Sequence, residues 1–193
     1  MRVLLIHAHP VETSLSAALR EQCVRSLVAA GHEVEELDLN ARGFDPVLSR
    51  EERLCYHDTT ANRKNVEAEV EQLLRAEALV LVYPVWNYGF PAILKGYFDR
   101  VFLPGVSFRL ENGKVVANLR HIRRLVAVTT YGGSRFRAFL AGDPPRKIVC
   151  RVLRALVART ARLSYLALYD LNRADDARRA AFLARVGAKL KDL

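Results

Sequence analysis

Alternating strand and helix signals place this 193-residue chain in the α/β class, with a parallel sheet covered by helices on both faces. Three observations predict it. Residues 3–8 and 78–83 are apolar runs of strand length, the pattern of strands buried on both sides, and residues 125–130 read as a further strand. The stretches between them repeat apolar residues at helical spacing, as right-handed crossovers between parallel strands require. About half the residues are apolar and a quarter charged, a globular composition that needs no disulfide or metal staple.

Residues 3–8 open the chain as the first strand. Residues 14–30 follow as a helix with Leu15, Leu19, Cys23 and Leu27 spaced four apart, and Gly31 stops it. Residues 33–39 are a half-buried second strand, and a polar excursion runs from there to about residue 60. Residues 62–76 read as helix with Val66, Val70, Leu73 and Leu74 inward, and residues 78–83 as the third strand. Helix returns over 90–102. Asn112-Gly113 marks a hairpin, because this pair tolerates the positive φ angles of a type I′ turn. After the fourth strand at 125–130, Asp143 before Pro144-Pro145 predicts an N-cap and a helix to about residue 162. Residues 164–169 form the fifth strand, and Asp175 or Asp176 caps a last helix bearing Phe182, Val186 and Leu190.

Composition narrows the setting. The chain is long enough for one domain, residues 1–193, burying roughly 70% of the unfolded surface. No stretch approaches the roughly 20 apolar residues of a membrane span, and the N-terminus lacks the pattern of a secretory signal. Cys23, Cys55 and Cys150 are odd in number and far apart, which predicts a reducing, cytoplasmic setting. His7, His9, His32, His57 and His121 form no metal pattern. Residues 1–100 carry 11 Lys+Arg against 15 Asp+Glu, whereas residues 101–193 carry 19 against 6. That field draws anions without choosing among them. The C-terminal half lacks the aromatic-basic interleaving of a nucleic-acid binder, so no nucleic-acid partner is expected.

In open parallel sheets ligands bind beyond the carboxyl ends of the strands, where strand order reverses, and this singles out three loops. The first, from His9 through Thr13, Ser14 and Ser16, opens a helix and offers backbone N–H groups and hydroxyls to a phosphate. It is neither a dinucleotide-binding glycine fingerprint nor a nucleotide-triphosphatase loop. The second, residues 84–91, sets the only Trp beside Tyr88 and Phe90 between two prolines, a stiff aromatic surface suited to a planar ring. The third, residues 129–134, has two glycines that admit a ligand to the backbone and a phenol, Tyr131, that can donate a hydrogen bond.

Residues 9–18, the block Pro84 to Phe102 with Pro91-Ala92-Ile93-Leu94-Lys95-Gly96, and residues 129–134 together resemble the NAD(P)H:quinone oxidoreductase family of flavodoxin-like flavoproteins. The resemblance implies a three-layer α/β/α sandwich whose five-stranded parallel sheet has the order 2-1-3-4-5. It implies a homodimer with flavin at the subunit interface: FAD, with FMN the alternative. His9, Thr13, Ser14, Leu15, Ser16 and Ala18 would take the phosphate end. Pro84, Val85, Trp86, Asn87 and Tyr88 would hold the isoalloxazine, with Thr129, Thr130, Gly132 and Gly133 on its other flank. NAD(P)H would deliver hydride to the flavin and leave, and a quinone would then accept two electrons, with Tyr131 a candidate donor to the ring. Tyr131 is an insertion relative to the family's Thr-Thr-Gly-Gly pattern. Two other functions share this fold: a flavodoxin-type electron carrier and a flavin-binding regulatory subunit of a potassium efflux system.

Overall fold

The computed structural model describes residues 1–193. Its main sheet contains β1 (Arg2–His7), β2 (Glu33–Asp38), β3 (Ala78–Val85), β6 (Arg124–Tyr131) and β7 (Arg162–Leu168), all parallel in the order β2-β1-β3-β6-β7. In sheet strands alone this is 2-1-3-4-5, as expected. The strands β4 (Phe108–Glu111) and β5 (Lys114–Ala117) form the hairpin that Asn112-Gly113 predicts, with φ of 51° and 73° at its turn.

Alternation along the buried strands divides the core in two. Leu79, Leu81 and Tyr83 of β3 and Leu125 and Ala127 of β6 face α3 (Glu67–Arg75) and α4 (Ala92–Val101). Val80, Val82, Val126 and Val128 face α1 (Leu15–Ala29) and α8 (Asp176–Lys191), through Leu19, Cys23, Leu27, Phe182, Val186 and Leu190. The helix faces read from the sequence are the ones that pack.

The polar excursion is organised by α4. It holds a short helix, α2 (Arg50–Leu54), whose Ser49 and Glu52 make a reciprocal capping box. Arg100 reaches from α4 to Glu52, Nε to Oε1 at 3.1 Å, and also donates to the Asp45 carbonyl. Gly96 permits the approach, because a Cβ there would overlap the Pro46 backbone.

Three boundaries differ from expectation. The helix expected from residue 62 starts at Glu67, because the Asn62 amide is drawn inward to donate to the Tyr56 and Pro104 carbonyls, each at 3.0 Å. α5 (Arg135–Leu140) had no signal separate from its loop. The helix after Asp143 runs as α6 (Pro144–Lys147), a π-helical stretch (Ile148–Leu153) and α7 (Arg154–Leu156). It stops short of residue 162 because Val157 turns to extended backbone and bridges Leu119. Asp143 also makes no side-chain cap; it has φ 44° and its carboxylate faces β6 instead.

Candidate functional site

β1, β3 and β6 are adjacent and parallel, so their three carboxyl-end loops emerge along one rim. The His9 and Trp86 rings meet at 5.7 Å between centroids, joining the first loop to the second. The Tyr88 hydroxyl lies 3.6 Å from where a Cβ on Gly133 would stand, joining the second to the third. Thr13, Trp86 and Thr130 therefore belong to one edge of the sheet.

In the first loop, the His9 Nδ1 accepts from the Val11 N–H at 3.0 Å, and the Ser14 N–H donates to the Val11 carbonyl at 3.2 Å. Ser14 caps α1, its hydroxyl accepting from the Ala17 N–H at 3.1 Å. The N–H groups of Glu12, Thr13, Leu15 and Ser16 have no protein acceptor, and they lie at the positive end of a 15-residue helix. Thr13 is exposed with a free hydroxyl, whereas Ser16 is buried with its Oγ 3.3 Å from His7 Nε2. The Leu15 side chain packs on the core, and the Ala18 N–H is already spent on the Ser14 carbonyl. Of the six residues named for this end, Thr13 offers a side chain and Leu15 and Ser16 offer backbone.

His7 is the satisfied buried imidazole of β1. Its Nδ1 lies 2.8 Å from Asp38 Oδ2, and Asp38 also accepts from Arg20 at 3.3 Å and from the Asn40 and Ala41 N–H groups. Burial lowers the His7 pKa more than Asp38 raises it, so the ring is neutral at pH 7. A cavity of about 280 Å³ beside the loop is lined by His7, His9, Arg20 and Asp38. Arg20 and Asp38 carried no sequence signal, since their meeting depends on β2 pairing with β1.

The second loop is a two-residue turn. Asn87 and Tyr88 have φ of 48° and 56°, and Trp86 and Gly89 exchange backbone hydrogen bonds of 3.1 and 2.8 Å. This is the type I′ arrangement, here with a tyrosine where glycine is favoured. Left-handed backbone at a non-glycine residue costs about 1–2 kcal/mol. The turn holds Trp86 and Tyr88 outward, 44% and 38% exposed, and leaves the Asn87 and Tyr88 N–H groups without protein acceptors. Pro84 is buried in β3 opposite Thr130, and Val85 is half-buried opposite Tyr131.

In the third loop Gly132 is exposed and the Gly133 carbonyl accepts from the Asp170 N–H at 2.8 Å. Thr129 and Thr130 are buried, and the Thr129 hydroxyl has no partner. Tyr131 follows them at the end of β6. It is buried, its hydroxyl donates to Asp143 at 2.7 Å and lies 2.6 Å from the Tyr165 hydroxyl, and its ring stacks on Tyr169 at 4.5 Å. Burial, then the Tyr165 phenol and the Asp143 carboxylate, push its pKa far up. As placed, the phenol is engaged by Asp143 and Tyr165.

A planar ring with a phosphorylated tail fits this rim. The rim offers unpartnered N–H groups at α1 and, beside them, Trp86, Tyr88 and the free amides of the turn.

The fold and the rim define a flavodoxin-like protein: the profile of the flavodoxin-like fold family matches residues 1–190, and the chain belongs to that family. Among its relatives is an uncharacterized NAD(P)H oxidoreductase of Haemophilus influenzae, 37% identical over 63% of this chain and 60% of that protein. Rat NAD(P)H dehydrogenase (quinone) 1 is 31% identical over 69% of this chain, which spans 54% of the rat protein. An NAD(P)H:quinone oxidoreductase structure from Methanothermobacter marburgensis superposes with a TM-score of 0.82 at 26% identity, covering 100% of this chain and 98% of that one.

Proposed function

We propose that this chain is a flavin-dependent NAD(P)H oxidoreductase that passes two electrons to a quinone-like acceptor. The carrying observation is the strained Asn87–Tyr88 turn, which presents two aromatics and two free N–H groups at the rim where α1 begins. Strain of this kind persists where the surrounding structure imposes it, often at ligand sites. Relatives named NAD(P)H oxidoreductase and NAD(P)H dehydrogenase (quinone) support the reading.

Flavin, when bound, supplies the hydride chemistry. In this reading Thr13 and the N–H groups of Leu15 and Ser16 bind its phosphate. Trp86 and Tyr88 set the plane of the ring and exclude water from one side. The Asn87 and Tyr88 N–H groups hydrogen-bond its heteroatoms and offset negative charge there, a preorganised electrostatic contribution. Gly132 and Gly133 would line the opposite flank. FAD is the flavin of this reading, and FMN, which a Coprothermobacter proteolyticus relative carries in its name, is the alternative.

We also assign a second copy of the chain to the apolar groove of about 710 Å³ that begins at Phe90 in the second loop and continues along Phe98, Phe102, Val152 and Leu156. Because Phe90 belongs to the rim, a partner seated there stands next to the ring, as in a homodimer with interfacial flavin. Three free cysteines suit a cytoplasmic location, and no helix is long and apolar enough to cross a membrane.

Flavin titration followed by initial-rate kinetics tests the function. Saturable yellow colour and parallel double-reciprocal lines for NAD(P)H against a quinone are expected. A chain that takes up neither FAD nor FMN would falsify the reading. Sedimentation at micromolar concentration tests the dimer, and a monomer would remove the groove's assignment.

A further inference from the structure

Four cations of the basic C-terminal half line one concavity. A cavity of about 440 Å³, within the range of small-molecule sites, is lined by Arg135, Asp143, Arg146, Lys147, Arg151 and Tyr169. None of its four cations joins an ion pair, whereas nine arginines elsewhere in the chain do. The one carboxylate present, Asp143, is engaged by the Tyr131 hydroxyl. Four cations against this one carboxylate leave the hollow net positive, and an anion between the cations offsets that excess.

The cavity abuts the rim. Arg135 follows Ser134, the residue that caps α5 from the end of the third loop. The Gly133 carbonyl ties that loop to Asp170, and Tyr169 stacks on Tyr131. Arg146 is held with its guanidinium 5.1 Å from the Tyr165 ring centroid, and Lys147 Nζ curls over Gly142.

We propose that this basic cavity is a phosphomonoester site that receives the 2′-phosphate of NADPH and makes the chain prefer NADPH to NADH. The proposal rests on the nicotinamide-dependent reading above. Guanidinium forks match the oxygens of a terminal phosphate dianion, and a charge-assisted set of this kind is worth about tenfold or more in affinity. NADH lacks that group and gains nothing from the site. Tyr169 offers an aromatic edge to the attached nucleoside.

The test is calorimetric binding of 2′,5′-ADP and of 5′-AMP to the full chain saturated with flavin. Wild type is expected to bind 2′,5′-ADP about tenfold more tightly, and R146Q/R151Q to erase the difference. The same variant should raise the KM for NADPH about tenfold and leave kcat and the KM for NADH unchanged, while R146K/R151K keeps most of the preference. Both arginines are exposed, and a thermal melt confirms folding. Equal affinities in wild type overturn the proposal, as does a preference that survives R146Q/R151Q. It is overturned too if the variant loses only sedimentation with phosphatidylserine vesicles, which would make the cations a membrane-facing patch. An active quinone reductase indifferent to the 2′-phosphate defeats this inference alone. A chain that binds 2′,5′-ADP but no flavin defeats the oxidoreductase reading instead.

Discussion

The imidazole of His9 meets the indole of Trp86 edge to face, with 61° between the ring planes. Neither residue is near the other in sequence, and the contact exists because β1 and β3 are parallel neighbours, with His7 opposite Val82, whose carboxyl ends reach the same edge. It joins the first loop to the aromatic second loop.

Replacing Trp86 with alanine should separate binding from folding. The side chain is 44% exposed, so stability should change by less than about 0.5 kcal/mol. Loss of an aromatic wall should weaken flavin binding about tenfold. Fluorescence titration and urea unfolding read the two quantities, and a variant that binds flavin normally contradicts the placement of the ring.

Tyr88→Gly should show a trade between stability and function. Asn-Gly is the favoured pair for a type I′ turn, so the change should relieve the φ of 56° and raise the melting temperature by about 2–4 °C. Flavin affinity should fall in the same protein. If melting temperature drops, the turn is not strained as described.

Two helical glycines should differ in their tolerance of alanine. At Gly96 the new Cβ meets the Pro46 backbone, which cannot yield without displacing the loop that Arg100 anchors, and a loss of about 2–3 kcal/mol is expected. At Gly187 the nearest atom is the movable end of Gln22, followed by Ser26 Oγ at 3.1 Å. Helix propensity favours alanine there, so Gly187→Ala should lie within about 1 kcal/mol of wild type. Chemical denaturation of both variants checks the contrast.

His7 gives a pH dependence with a definite sign. Burial is the largest influence on it and lowers its pKa below 6.5 in the folded chain, against the raising effect of Asp38. Its stability contribution is therefore complete above 6.5 and is lost as pH falls from there toward the folded value. Unfolding free energies between about pH 7.5 and about pH 5.5 should fall more steeply for wild type than for His7→Gln. Equal slopes would mean that His7 does not titrate differently on folding.

The legible part of this protein was its local pattern. Apolar runs at β1, β3 and β6 and four-residue spacing along α1 were enough for the sheet, because burial on both faces imposes those patterns on any sequence that adopts them. Loop positions followed, since a parallel sheet sends alternate connections to one edge. The short α5 and the Arg50–Leu54 helix were hidden because neither is long enough to show a period.

The sequence by itself determined the class of fold and the sheet edge at which the three loops gather. Tertiary structure alone decided which of their polar groups remain free. Tyr131 was legible as a phenol beside two glycines, but its proton belongs to Asp143 and its oxygen to a contact with Tyr165, residues 12 and 34 positions away. Periodicity is a property of neighbours along the chain, whereas a hydrogen bond is a property of neighbours in space.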